Sequence, residues 1–341
     1  MKKQRRKISK LKVFVAILIV ICMVLVIKNI ASKKTENAFS SNAALDNVAP
    51  ELELLSEKTV VVLGQDCKVK ATAKDNVDGD ITNNIQVSGV DINKAGEYEA
   101  NIWVTDNAGN RTEAKQKVIV REELTNGLPV LMYHFFYDNN RYSKQDNNWL
   151  NINDFEEQLK YLTENDYYFP TWEEVNSFVE GKTKLPSKSV VLTSDDGNAS
   201  FFELAVPVMQ KYKVPVTSFV VTDWYDYSQN INIDYVVWGS HSAAMHTAGA
   251  NGKGAMVNWS YEEVLKDLNQ SYEALLGKAC VFCYPFGHYN ETAIKALQNS
   301  KFIMAFTVEG GRVKPGMNKY VLPRVRVSDG NSLKYFINSV M

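Results

Sequence analysis

Two aspartates stand side by side where an apolar run ends, in "SVVLTSDDGNASFF" at 189–202. At the mouth of a buried strand, Asp195 and Asp196 repel each other unless something offsets their charge. The chain has four histidines, and three of them, His134, His241 and His246, follow apolar runs of their own or lie close to one. Two imidazoles and one carboxylate, with a position left open for water, are the ligand set of a catalytic zinc ion. A bound cation would offset the repulsion of the pair and hold both ionised. Consecutive residues leaving a strand point in different directions. One carboxylate can therefore bind the metal while its neighbour reaches a metal-bound water, whose pKa falls to about 7 on such an ion. The free aspartate is then a general base, and a histidine on the far side can protonate a leaving amine. Arg324 and Arg326 form a basic pair further on.

These side chains need elements that deliver them to one place. Apolar runs alternate with helical patterns from residue 128 to the end: strand "LPVLMYHFF", helix "NDFEEQLKYLTEND", helix "TWEEVNSFVEG", strand "SVVLTS", helix "FFELAVPVMQKY", strand "VPVTSFVV", helix "SYEEVLKDLNQSYEALLG", strand "CVFCYPFG", helix "ETAIKALQNS" and strand "MAFTV". Phe155, Leu159 and Leu162 share one side of the first helix, with Asn153 as its cap. Gly181 closes the second helix, and Ser260 with Glu263 makes a capping box for a later one that Gly277 ends. This alternation means a parallel α/β core, open or closed as a barrel. In barrels the chemistry sits at the C-terminal ends of the strands, which is where the histidines and aspartates stand. His241 and His246 are five apart, about 140° on a continuous helix. His241 therefore belongs in a loop and His246 in the first turn of a helix.

Upstream, residues 51–121 read as a small β-sandwich, with short alternating runs punctuated by Gly, Asn and Asp. Its phrases "DNVDGDIT" and "GEYEANIWVTDNAGN" resemble bacterial immunoglobulin-like repeats of surface proteins. Asp75, Asp78, Asp80 and Asp106 suit calcium, and turn chemistry explains them as well. Residues 32–50 are a polar linker. Before it, "VFVAILIVICMVLVI" at 13–27 carries no charge. As a helix it spans about 22 Å against roughly 30 Å of hydrocarbon. Lys12 and Lys28 can snorkel, and Ile30 and Ala31 extend the run. It reads as an uncleaved single-pass anchor within residues 1–31. A cleaved signal peptide is the competing reading, and its small-residue cleavage site is not evident. The basic head holds the N-terminus in the cytoplasm, which puts everything after Ala31, including the domain at residues 122–341, outside the cell membrane.

The formal net charge of −1 hides an asymmetry. Residues 1–34 hold ten Lys/Arg and no acid, and the remaining 28 basic against 39 acidic side chains leave about −11. A nucleic-acid footprint needs a basic patch, so none is expected. The four cysteines make no evident disulfide or zinc pattern. Cys280 and Cys283 read as small buried hydrophobes. A monomer is expected.

"TSDDG", "HSAAMH" and "YPFG" resemble the signature motifs of the polysaccharide deacetylases, the NodB-homology or carbohydrate esterase 4 group. With "LMYH" ahead of the paired aspartates, the order is similar to the poly-N-acetylglucosamine deacetylase branch. The resemblance covers about residues 128–340. It implies a distorted (β/α)7 barrel that hydrolyses N-acetyl groups of N-acetylglucosamine glycans, in peptidoglycan or an exopolysaccharide. It also implies a divalent metal, Zn2+ first and Co2+ or Ni2+ after it. Carried over by motif, Asp195 is the base, Asp196, His241 and His246 are the ligands, and His134 is the general acid. Tyr284, Pro285, Phe286 and Gly287 line the substrate groove, with a backbone N–H near Phe286 for the oxyanion. Ser194 stands where the family commonly has Phe, and Cys283 where many members have Arg, which makes Arg324 the candidate for orienting Asp195. Trp224, Tyr225, Tyr227, Tyr235 and Trp238 divide between sugar stacking and core packing, with Trp238 a candidate for the groove. His288 reads as a groove-edge or surface residue. An O-acetyl esterase of the same fold and an inactive carbohydrate-binding protein are the alternative functions.

Overall fold

The computed structural model describes residues 46–341. The basic head, the apolar run and most of the linker lie outside the described residues. No helix among the described residues is long and apolar enough to cross a membrane. The described chain forms two compact units: residues 46–61, 66–92 and 96–119 in one, and 62–65, 93–95 and 120–341 in the other.

The first unit has two sheets. One is three-stranded, with β3 (Ala71–Asp75) between β1 (Glu51–Leu54) and β4 (Gly79–Asp80), both antiparallel to it. The other orders β2 (Lys58–Val62), β7 (Arg111–Arg121), β6 (Gly96–Thr105) and β5 (Gln86–Ser88). Period-2 alternation builds the core. Ala100, Ile102 and Val104 of β6 are fully buried while Glu97, Glu99 and Asn101 face water. Of the expected strand "CKVKATA", only the part from Ala71 forms one.

In the second unit seven parallel strands close a barrel. The ring runs β8 (Val130–Tyr133), β11 (Val191–Ser194), β12 (Val216–Val220), β13 (Val236–Ser240), β14 (Val281–Cys283), β15 (Met304–Gly310) and β16 (Leu322–Arg326), and β16 pairs back onto β8. A register shift between β15 and β16 distorts it. A short parallel pair, β9 (Phe135–Tyr137) with β10 (Trp149–Asn151), continues from β8. β8, β11 and β14 are buried on both faces, which is why they read as continuous apolar runs instead of alternating ones. The outer helices are α1 (Ile152–Glu164), α2 (Trp172–Val179), α3 (Val206–Tyr212), α4 (Tyr261–Ala274), α5 (Glu291–Gln298) and α6 (Leu333–Val340). Phe155, Leu159 and Leu162 of α1 are fully buried, each contributing roughly 1.5–3 kcal/mol.

Three local expectations are corrected. The cap of α1 is Asn151, whose side chain accepts from the Asn153 N–H at 2.9 Å. The helix around "FFELAVPVMQKY" opens with a π turn over Phe201–Ala205, and α3 proper carries a proline in its first turn, where the missing N–H is tolerated. Strand β14 stops at Cys283, and "YPFG" leaves the sheet as a tight turn. The capping box at Ser260 and Glu263 forms as read, and so does the Thr171 box that opens α2.

Candidate active site

Asp195 follows β11 directly, and its N–H donates to the Tyr133 carbonyl of β8 at 3.0 Å. Its carboxylate is buried and receives both arms of Arg324, Nη1 to Oδ1 and Nη2 to Oδ2, each at 2.7 Å. Such a paired contact fixes orientation as well as charge. Arg324 is itself fully buried and its remaining donors are used. Nε donates to the Thr307 carbonyl at 3.0 Å, Nη1 also to Thr193 Oγ1 at 3.1 Å, and Nη2 also to Cys283 Sγ at 2.9 Å. Burial alone would raise the Asp195 pKa, but Arg324, with help from His134 and His241, overcomes it and holds the carboxyl well below its usual range.

The structure thus gives Arg324 the orienting place expected for it. Arg326 turns outward and donates to Asn148. Cys283 is more than a small hydrophobe. It lies between the guanidinium and Asp195, with Sγ 3.5 Å from Oδ2. Burial holds the thiol well above its ordinary pKa, so it stays neutral there. Thr193 was missed in the sequence. It is two residues before Asp195 on one strand, a spacing that puts both side chains on one face.

Asp196 turns the other way because its backbone sits in the left-handed region, with φ 74°. Strain of this kind persists where the surroundings over-determine it. Gly197 follows at φ 60°, and a Cβ there would lie 2.7 Å from Val220 and from the Tyr227 hydroxyl, so only glycine fits. Asp196 Oδ1 lies 3.2 Å from His246 Nε2 and 3.5 Å from His241 Nε2. His241 Nδ1 is 2.7 Å from the Cys283 carbonyl. In the tautomer where Nδ1–H donates to that carbonyl, Nε2 keeps a free lone pair toward Asp196.

The ligating atoms of Asp196, His241 and His246 all lie within 4.8 Å of one another. Two imidazole nitrogens and a carboxylate oxygen converging in this way fit a catalytic zinc ion. Asp195, His241 and Cys283 form a second such group. Arg324 already occupies the Asp195 carboxylate, so the first group is the better seat.

Both histidines come from an irregular loop after β13, and no helix starts at His246. The loop is held instead by α4: Asp267 accepts the Ala243 and Ala244 N–H groups at 2.8 Å each. Asp267 is buried on the stripe that also carries Val264, Leu268 and Ser271. A carboxylate on an apolar stripe was the legible signal for it, and the sequence reading passed over it.

His134 follows β8, with Nε2 at 3.8 Å from Asp195 Oδ2. Ser194 donates to the His134 carbonyl at 3.0 Å, so the serine before the aspartates ties the two strand ends together. Among the groove candidates, Trp238 and Tyr284 are corrected. Trp238 is buried with Nε1 donating to the Ile231 carbonyl, and Tyr284 is buried with its hydroxyl donating to the Tyr320 carbonyl. Both rings pack in the core beside the barrel. Tyr227 is buried too and Tyr235 half-buried, while Trp224 and Tyr225 are exposed.

Pro285 is buried, and Phe286 is 43% exposed at φ 59°. Gly287 continues the turn at φ 71°, where a Cβ would strike Val308 at 2.3 Å. The Phe286 and Trp224 rings flank His246, with centroids 4.3 and 5.0 Å from the imidazole. His288 Nδ1 accepts the Gly254 N–H at 3.0 Å and so fixes the neighbouring loop.

The buried site makes stability depend on pH. Burial holds His134 and His241 below the ordinary histidine pKa, although both aspartates pull them up. The unfolded chain takes up protons at these positions near about pH 6.5 that the folded, metal-free chain refuses. Asp195 has the same sign at lower pH. This stability is complete above about pH 6.5 and is lost as pH falls. Calorimetry on metal-free protein should show the melting temperature dropping between about pH 7 and about pH 5, less steeply in His134→Gln. A melting temperature that is flat or rises on acidification contradicts the assignment.

Comparison with known proteins agrees with this geometry. Residues 182–304 match the polysaccharide deacetylase family, and residues 55–120 match the Ig-like domain of bacterial surface proteins. A poly-beta-1,6-N-acetyl-D-glucosamine N-deacetylase of Staphylococcus aureus is 28% identical over an alignment of 193 residues that covers 51% of this chain. The match spans 66% of that relative's length, just under two thirds. In fold, the chain is similar to the Streptococcus pyogenes deacetylase PplD in complex with acetate, with a TM-score of 0.56 and 21% identity over 64% of this chain and 100% of that one. It is similar also to IcaB from Ammonifex degensii, with a TM-score of 0.55 and 24% identity over 63% of this chain and 97% of that one. The chain thus carries a polysaccharide deacetylase domain, matched over residues 182–304, preceded by a bacterial surface Ig-like domain at residues 55–120.

Proposed function

We propose that this protein is a metal-dependent hydrolase that removes N-acetyl groups from N-acetylglucosamine glycans outside the cell. One observation carries the reading: Asp196 Oδ1 faces two imidazole Nε2 atoms, while both oxygens of the adjacent Asp195 are engaged by Arg324. Asp196, His241 and His246 would hold the metal, Zn2+ by donor type. When bound, it supplies Lewis acidity for the acetamide carbonyl and lowers the pKa of a water to about 7.

Asp195 is ionised at neutral pH and is not needed as a ligand, so it is free to take the proton of the attacking water. His134 stands on the other side of Asp195 and gives a proton to the departing amine. It does so as the imidazolium, a form that burial disfavours and that Asp195 and Asp196 favour, and the proton Asp195 takes from the water then restores it. The Phe286 backbone N–H is the proposed oxyanion donor. The exposed Phe286 and Trp224 rings offer apolar faces to a pyranose. The relative's amino-sugar substrate supports an N-acetyl target, and the basic and apolar N-terminal segment supports a membrane anchor that keeps the domain near its glycan.

Acetate and free amine, measured together on β-1,6-linked N-acetylglucosamine oligomers, peptidoglycan and acetylxylan, test the proposal. Both products are expected from an amino-sugar glycan, with acetylxylan at background. Acetate from acetylxylan alone assigns an O-acetyl esterase, and no product from any of the three contradicts hydrolysis. Asp196→Asn and His246→Ala should each weaken zinc binding by at least about 100-fold, more than loss of an outer hydrogen-bond partner does. Zinc titration by calorimetry checks this, and wild-type affinity in either variant would remove that residue from the ligand set.

A further inference from the structure

We infer that the Ig-like unit carries a calcium site built from Asp46, Asp75 and Asp106. Carboxylate oxygens of the three converge within 4.8 Å of one another. Two of them arrive from the core side of the sheets. Ala71, Ala73 and Asp75 alternate inward along β3, and Ala100, Ile102, Val104 and Asp106 do so along β6 and just past it. The apolar face of each sheet thus ends in a carboxylate that is 3% exposed at Asp75 and 7% at Asp106. Burying an ion in this way is costly unless it is paired or bound to a metal.

The partners present are all neutral. Asp75 Oδ1 accepts the Val77 and Asp78 N–H groups at 2.8 Å each, and Asp106 accepts the Asn110 N–H and side-chain amide at 2.8 Å each. Asp46 Oδ1 accepts the Val48 N–H at 3.1 Å and the Asn76 amide at 3.5 Å. Among the described residues, no lysine, arginine or histidine forms an ion pair with any of the three. Asp75 Oδ2 is buried with no hydrogen-bond partner at all. Three formal negative charges and an orphaned buried oxygen need a cation. An all-oxygen set calls for a hard one, and oxygens on opposite sides of a calcium ion stand about 5 Å apart.

Two of the acids singled out in the sequence serve turns instead. Asp80 accepts the Thr82 N–H, and Asp78 takes both the backbone and the side-chain N–H of Asn107. The third ligand, Asp46, comes from the segment that enters the sandwich before β1, outside the matched Ig-like region. A cation here would pin that entering segment to the ends of β3 and β6, stiffening the point where the spacer meets the domain.

The test is calcium titration by calorimetry on the full chain, with the histidine site first filled with zinc. One calcium per chain is expected, with a dissociation constant near or below about 1 mM, the range of extracellular modules. Asp75→Asn and Asp106→Asn should each weaken it at least about tenfold, as loss of a ligating charge does, while Asp80→Asn binds as wild type. Asp46→Asn guards against a folding artefact, because it lies outside the strands. Weakened binding there, with unchanged circular dichroism, supports the site even if the other two variants misfold. No saturable binding, tighter binding of magnesium, or wild-type affinity in Asp46→Asn or in a folded Asp75→Asn would overturn it.

Discussion

Asp195→Asn should keep its zinc and lose turnover by about three orders of magnitude, within the 10²–10⁴-fold typical of a general base. The two halves of that result belong together. Asp195 lies outside the converging trio of Asp196, His241 and His246, so its loss leaves the metal seat intact. The amide is nearly isosteric but cannot accept the proton of the attacking water. One of its edges also presents N–H groups to a guanidinium that has only donors. Arg324 is then buried without its counter-ion, and the fold should weaken as well, by up to about 3–5 kcal/mol. Bound zinc per chain, the rate of acetate release and the melting temperature, measured on one preparation, separate these effects. Normal turnover would remove Asp195 from the chemistry.

Arg324→Met should do its damage through Asp195. The carboxylate is buried, and burial acts to raise its pKa while Arg324 is the chief force holding it down. Without the guanidinium, Asp195 should hold its proton into the neutral range and be idle as a base at pH 7. The acidic limb of the pH–activity profile should therefore move upward, with part of the lost rate recovered in alkaline buffer. Breaking a buried ion pair by removing one partner costs about 3–5 kcal/mol, so the melting temperature should also fall. Arg324→Lys keeps a charge but not the paired contact, and it should restore more of the profile than of the rate. A purely structural role for Arg324 would lower the melting temperature and leave the limb where it is.

Apolar runs alternating with capped amphipathic helices named a parallel α/β core, and strand ends named the place for Asp195, Asp196 and His134. The closed barrel and the grouping of Asp196 with His241 and His246 were legible only through the motif resemblance. What escaped was decided by tertiary contacts. "CVFC" reads as strand filler, and nothing local says that Cys283 will touch both Asp195 and Arg324 across the barrel. Trp238 reads as a sugar-stacking ring and Tyr284 as part of a groove-lining motif, yet their polar tips find buried carbonyls and their rings fill the core. The helix expected at His246 fails because Asp267 of α4 supplies the N–H acceptors that hold an irregular loop. Of the acids proposed to hold calcium, Asp75 and Asp106 are among those singled out in the sequence, whereas Asp46 sits in a segment that reads as plain linker.

If Asp196, His241 and His246 hold a metal on which hydrolysis of the acetamide depends, removing it must stop the reaction. The direct measurement is acetate release from a β-1,6-linked N-acetylglucosamine oligomer by chelator-stripped protein, before and after one equivalent of zinc is returned. Background release is expected from the stripped protein and full recovery with zinc, with no recovery in His246→Ala. Undiminished release from metal-free protein, or equal recovery in His246→Ala, would contradict it.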